Sequence, residues 1–140
     1  MKRQLFYTVL FFTAILTGCS GDDNNGSVNS NDRIIGTWES WKEVTDDGET
    51  YSLNEYDCPQ YVEVYNSDGK GSEKQYYHID NGCEQLYSTS NTWSNQGGDN
   101  YKISNGSISA THHYTFIDDN TYYQRDEENA SNIYFKRKVN

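Results

Sequence analysis

Proline and methionine occur once each in this 140-residue chain and cysteine three times, and 11 lysines and arginines face 21 aspartates and glutamates. A formal charge of −10 repels a phosphate backbone, so nucleic acid is not an expected partner. The same sign disfavours electrostatic attachment to anionic lipid headgroups and otherwise serves solubility. Helical periodicity is missing: no segment repeats apolar residues every three to four positions over a helical length. Catalytic signatures are missing too. The chain has no Gly-x-Ser-x-Gly elbow, no phosphate-binding glycine loop and no His-Glu-x-x-His pair. Its carboxylates are plentiful, but abundance does not place two of them across a substrate. Neither an enzyme nor a cofactor is expected.

The N-terminus is the most informative stretch. Lys2 and Arg3 precede an apolar run from Leu5 to Ile15, and Leu16-Thr17-Gly18-Cys19 closes it. A basic start, a short apolar segment and small residues at a cleavage point make up a secretory signal. The run is too short to stay in a bilayer as a stable span. Its ending resembles the lipobox of bacterial lipoproteins, in which cleavage falls before the Cys and the Cys sulfur is acylated. That resemblance implies a signal peptide over 1–18 and a lipid anchor on Cys19 that holds the protein to a membrane. The 122 residues left suffice for one small domain, and without Lys2 and Arg3 their charge is about −12.

Residues 20–32 hold a single apolar side chain, Val28, so 19–32 is expected to be a flexible acidic tether. Asp22 and Asp23 resemble the acidic export signal that Bacteroidetes lipoproteins carry just after the lipidated Cys, which implies the outer face of the bacterial outer membrane. The alternative is a merely polar linker. Cys58 and Cys83 remain. Two cysteines in an exported domain of this size usually pair, and the loop of about 25 residues would contribute roughly 3 kcal/mol. The rival is a metal site, but two Cys without nearby His ligands do not complete one.

The stretch 33–140 reads as strands joined by tight turns. Asp47-Gly48, Asp68-Gly69, Asn81-Gly82 and Asn105-Gly106 favour hairpins. Between them lie β-branched and aromatic runs at 37–44, 61–65, 74–79, 85–90, 101–104, 108–117, 121–124 and 133–138. About eight short strands point to a closed up-and-down antiparallel barrel or a sandwich. Alternation assigns faces: Ile108, Ala110, His112, Tyr114 and Phe116 form the less polar side of their run, and Ile133, Phe135 and Arg137 share another.

Ile34-Ile35-Gly36-Thr37-Trp38, with the Asp47-Gly48 turn after it, resembles the opening of the small lipocalin-like domains of Bacteroidetes lipoproteins. Cys58 before a strand ending in Asn66-Ser67-Asp68-Gly69, Cys83, Thr92-Trp93-Ser94 and the basic last strand Ile133–Lys138 fit the same pattern. The likeness covers nearly all of 34–138. It implies a lipocalin-like β-barrel in which Trp38 plugs one end and Arg137 packs over it, a cation–π contact of order 1 kcal/mol. The long polar segment from Tyr87 to Lys102 departs from the family, so a loop or a strand shift is expected there.

From Ile34 on, 13 Val, Ile and Leu face 17 aromatics. Eight strands leave room for packed side chains or for one small ligand, and each buried Tyr hydroxyl needs a partner. Either the aromatics fill the barrel, or Tyr65, Tyr77, Tyr87, His112 and Tyr114 line a cavity suited to a planar or polar ligand. His112 and His113 are adjacent on a strand and point to opposite faces, so they do not share one ion without a bulge; a His78–His112 pair with an acid is the alternative, but nothing in the sequence fixes it, and no metal site is expected. Asn66–Glu73 lacks the alternating oxygen ligands of a calcium loop. The function expected is non-catalytic binding of a small molecule in the barrel. The alternative is a surface module that binds a protein or glycan through Tyr-rich loops.

Overall fold

The computed structural model describes residues 28–80 and 82–139. The signal peptide over 1–18, the lipidation site Cys19 and tether residues 20–27 lie outside the described residues.

Eleven strands and no helix form among the described residues. Eight strands close the barrel: β1 (Gly36–Thr45), β5 (Tyr61–Tyr65), β6 (Lys70–Ile79), β7 (Gly82–Gly97), β8 (Asn100–Ser104), β9 (Ser109–Asp118), β10 (Thr121–Asp126) and β11 (Ser131–Arg137). Each pairs antiparallel with the next, and β11 returns to pair with β1. The sheet therefore has no free edge at that seam. Each of the eight runs read from the sequence coincides with one of these strands, to within one residue at Ile108 and Lys138. Three short strands were not legible: β2 (Thr50–Ser52), β3 (Asn54–Glu55) and β4 (Cys58–Pro59). β2 covers the far half of β1, whose near half pairs with β5. β3 and β4 form a separate two-stranded hairpin.

The 87–102 segment is strand rather than a long loop, and the register of β7 against β8 shifts within it, between Asn95 and Gly97. β7 runs on to Gly97, and the turn before β8 uses Gly97, Gly98 and Asp99, all with positive φ. β6 and β7 outgrow their neighbours. β5 pairs with β6 only through Gln75, and β8 reaches back along β7 only to Thr92. Residues 76–79 and 82–85 thus pair only with each other, as a two-stranded ribbon beyond the barrel. Such a ribbon is marginal alone. The disulfide Cys58–Cys83, with Cα atoms 5.5 Å apart, ties it to β4, and Tyr76 N donates to Gln60 O at 2.8 Å.

The core occupies one half of the barrel. Ile34, Trp38, Tyr65, Trp93, Tyr101, Tyr114, Tyr122 and Phe135 are all 3 % exposed or less. Seven of these eight are aromatic, and they meet mostly edge to face: Trp38–Tyr122 at 4.6 Å, Tyr114–Tyr122 at 5.0 Å and Tyr101–Tyr114 at 5.3 Å. Each such pair adds about 0.5–1.5 kcal/mol beyond area burial. Trp38 Nε1 donates to Ile34 O at 2.6 Å, and Trp93 Nε1 to Asn66 O at 3.0 Å, so neither indole is left unsatisfied.

This end is also capped. Val28, the only apolar residue of the expected tether, packs against the core. Asp32 accepts from Tyr101 Oη at 2.7 Å, Asn95 Nδ2 at 2.5 Å and its own strand lead, Ile34 N, at 3.1 Å. Residues 28–32, assigned to the tether from sequence, are therefore seated on the barrel. Arg137 lies across Trp38 with its guanidinium carbon 4.2 Å from the ring, and donates to the carbonyls of Ile35, Arg33 and Asp119. Gly36 makes this possible. Its φ is 143°, and a Cβ there would run into the Arg137 guanidinium.

Candidate functional site

Away from the capped end the interior opens into a concavity. Tyr61, Glu63, Glu73, His112, Gln124, Asp126, Ile133 and Phe135 border a cup of about 300 Å³. A side recess of about 110 Å³, bordered by Asn91, Ile103 and Ala110, shares Glu73 and His112 with it. The alternation of each strand explains the lining. On β5, Tyr61, Glu63 and Tyr65 face in, and Gly36 pairs with Tyr65 at the capped end, so Tyr61 lies towards the open one. On β9, Ala110, His112, Tyr114 and Phe116 face in and pass from recess to core. The chain enters at the capped end, so the cup opens at the opposite end.

A hydrogen-bonded tyrosine cluster forms the floor. Tyr122 Oη donates to Glu63 Oε2 at 2.5 Å, and Tyr65 Oη donates to the same oxygen at 3.0 Å. The Tyr114 hydroxyl completes the chain, 2.7 Å from that of Tyr65. Because the Tyr65 proton goes to Glu63, Tyr114 is the donor in that pair. Gln124 Nε2 donates to both carboxylate oxygens, at 2.9 and 3.1 Å.

Glu63 is the electrostatic centre of the site. Part of it faces the cup, yet protein surrounds its carboxylate, and burial raises its pKa from 4.5 to about 7. The hydrogen bonds from Tyr122, Gln124 and Tyr65 act in the opposite direction, and the charge of Glu73 adds to the rise. The hydroxyls of Tyr65, Tyr114 and Tyr122 are held well above the ordinary tyrosine range, first by burial and then by Glu63. They stay protonated and act as donors. Glu63 and Glu73 stand directly opposite each other on β5 and β6. Among the described residues the Glu73 carboxylate has no hydrogen-bond or ion-pair partner.

Of the residues singled out from sequence, the structure brings three to this site. Tyr65 and Tyr114 lie in its floor, and His112 is on its wall. Tyr77 and Tyr87 are a correction. They sit on the β6–β7 hairpin at 39 % and 45 % exposure and line neither hollow. β5 ends five residues in, so at Tyr77 no barrel wall remains to face, and Tyr77 instead donates to Glu84 at 2.5 Å. Gly36, Trp38 and Arg137 belong to the capped end. The residues that sequence reasoning missed are Tyr61, Glu63, Glu73, Asn91, Gln124 and Asp126. The available signal for Glu63 was its place between Tyr61 and Tyr65, two positions from each.

A second concavity lies outside the barrel. A groove of about 240 Å³ runs between β3–β4 and the ribbon, bordered by Leu53, Glu55, Gln60, Gln75, Tyr77 and His78 among others. Tyr56, 80 % exposed and with φ 54°, stacks on His78 at 4.5 Å beside it. No group of three or more His, Cys, Asp or Glu among the described residues is arranged to hold a metal ion, and no helix of the described residues is long and apolar enough to cross a membrane. Comparison with protein-family models, with curated proteins and with solved structures returns no match.

Proposed function

We propose that this protein is a lipid-anchored envelope protein that binds a small polar ligand in its barrel and performs no chemistry on it. One observation carries the reading: a cup of about 300 Å³ is left open above a packed, hydrogen-bonded floor. A barrel built only for stability gains from filling that space, because unfilled volume forfeits packing contacts. Here the space is instead lined mainly by polar and charged side chains, Glu63, Glu73, His112, Gln124 and Asp126 among them, with Ile133 and Phe135 as its apolar part, and its volume lies at the small end of the range for small-molecule sites. The lipobox supports an anchor at Cys19, and Asp22-Asp23 supports the outer face of a bacterial outer membrane. With the chain entering at the capped end, the cup would then face away from the lipid.

Native mass spectrometry of the protein extracted from the envelope of cells that make it tests the reading. A reproducible bound small mass, lost on Gln124→Trp to fill the cup, is the expected result. An empty protein at every extraction would leave the hollow without an occupant and refute it. The stacked Tyr56–His78 pair and exposed Tyr51, Tyr77 and Leu86 around the outer groove favour, as a second reading, a surface that binds a protein or glycan.

A further inference from the structure

The outer groove is assembled from two elements that the chain locks together. One wall is the β3–β4 hairpin, the other the ribbon end of β6. Cys58 borders the groove and is bonded to Cys83 of β7, and Gln60 O accepts from Tyr76 N at 2.8 Å. The walls are thus held at fixed spacing before any ligand arrives, which lowers the ordering cost of binding.

Tyr56 stands at the rim in a backbone conformation that tyrosine rarely adopts. Glu55 pairs with Cys58, so Tyr56 and Asp57 are the two central residues of a tight hairpin turn. Both have positive φ, 54° and 58°. Asn-Gly is the favoured pair for such a turn, and a bulky side chain there is strained. The ring gains no burial in return, being 80 % exposed. It lies nearly parallel to the His78 ring, 16° apart at 4.5 Å, and keeps its other face towards solvent.

The groove beside this stack is polar and holds no Lys or Arg. Among the described residues the side chains of Ser52, Glu55, Gln75 and His78 make no hydrogen bond, whereas Tyr77 is held by Glu84. An anionic ligand would meet no cation here, and the net charge of −10 repels it. A wholly apolar ligand would strip water from these groups without replacing it. A sugar ring matches both features. Its C–H face suits the negative face of an aromatic ring, and its hydroxyls donate and accept at once, as the Gln75 amide also does. A volume of about 240 Å³ lies below the range of pockets that enclose a whole ligand, and so suits a short part of a longer chain.

We infer that the groove is a subsite for a neutral glycan, with one sugar ring stacked on the open face of Tyr56 and its hydroxyls bound by Glu55, Gln75 and His78. The inference takes up the surface reading above, commits it to a glycan, and does not depend on what the cup holds.

A printed array of neutral, sialylated and sulfated oligosaccharides, probed with the purified full-length protein in detergent and followed by isothermal titration of the strongest neutral hit, tests it. A neutral glycan should bind more tightly than any acidic one. Tyr56→Asn should weaken that binding by about 10-fold, the upper end of what one stacked ring contributes. The same variant should raise the melting temperature, because Asn tolerates the left-handed conformation of the turn. Tyr56→Phe should retain the affinity within about twofold, since it keeps the stacking face. Ile117→Ala, an exposed residue of β9, should change nothing. If Tyr56→Asn left the affinity unchanged, the glycan would bind elsewhere and the inference would fall. Acidic glycans bound as tightly as neutral ones would overturn it too. Binding to no neutral glycan would do the same and leave the surface reading with a protein partner alone, while the mass measurement decides the cup separately.

Discussion

Glu63→Gln should remove most of the pH dependence of stability between pH 4.5 and 7. The Glu63 carboxyl moves from an ordinary 4.5 to about 7 because protein encloses it. A folded-state value above the unfolded one means that the native protein holds this proton more tightly. The stability contributed by the neutral form is therefore fully present below about 4.5 and is lost as pH rises through 7. Converting the difference gives about 3 kcal/mol, an upper figure, because part of Glu63 faces water in the cup. The acids that titrate low, Asp46, Asp47, Asp68 and Asp126, contribute in the opposite sense and at lower pH. The window above 4.5 is thus dominated by Glu63.

Glutamine keeps the shape. Its Oε1 can accept from Tyr65 and Tyr122 as Glu63 does, and its amide nitrogen can donate to Gln124 once that side chain flips. Urea unfolding with the disulfide intact, followed by tryptophan fluorescence at several pH values from 4.5 to 8, measures the effect. The parent should lose up to about 3 kcal/mol across the window, the variant much less, and the variant should be the more stable of the two at pH 8. Curves that stay parallel to within about 0.5 kcal/mol, near the extrapolation error, would refute the assignment of a buried, proton-holding Glu63.

Trp38→Ala should destabilise by about 3–5 kcal/mol, because the fully buried ring holds Tyr122, Phe116 and Arg137 at once; a loss under about 1 kcal/mol in the same urea assay would contradict that packing. Reducing Cys58–Cys83 opens a loop spanning 25 positions and should cost roughly 3 kcal/mol. Amide exchange should then rise first in the β6–β7 ribbon, and uniform loosening of the whole barrel would contradict its marginal pairing. Cys19→Ala should leave the protein uncleaved or released from membranes on fractionation. Membrane-bound variant of normal mature size would sink the lipid anchor.

Much of this architecture could be read from residue type and parity. Glycine-containing turns and β-branched runs located all eight barrel strands, and the shared parity of Ile133, Phe135 and Arg137 placed Arg137 on the inner face that carries Trp38. His112 and Tyr114 followed from alternation in the same way. The site itself was harder to see. In Tyr61-Val62-Glu63-Val64-Tyr65 both faces carry large side chains, so alternation gives two faces but not which one closes inward. An acid between two tyrosines then reads as a solvent residue, and only closure of the barrel turns it inside. Tyr77 and Tyr87 failed for the converse reason. Their parity points inward, but parity carries no information on where neighbouring strands end. The docking of Val28 depended on contacts with Gly69, 41 positions away in the chain.

Packing a barrel with tyrosine has a consequence that an aliphatic core would not have. Each buried hydroxyl must be passed on to an acceptor, and here the line from Tyr114 through Tyr65 ends, with that of Tyr122, on Glu63. Three of the four core tyrosine hydroxyls thus converge on the carboxyl that faces the cup, and the fourth, that of Tyr101, goes to Asp32. Stability and occupancy share one group. A cation in the cup would favour ionised Glu63 and oppose the repulsion from Glu73, so it would lower the Glu63 pKa and displace a proton. The bound protein should therefore lose less stability as pH rises from 4.5 to 7 than the free one. A neutral ligand that left the Glu63 proton in place would stabilise both ends of that range alike. The slope of stability against pH, measured with and without an occupant, separates the two even before the occupant is identified.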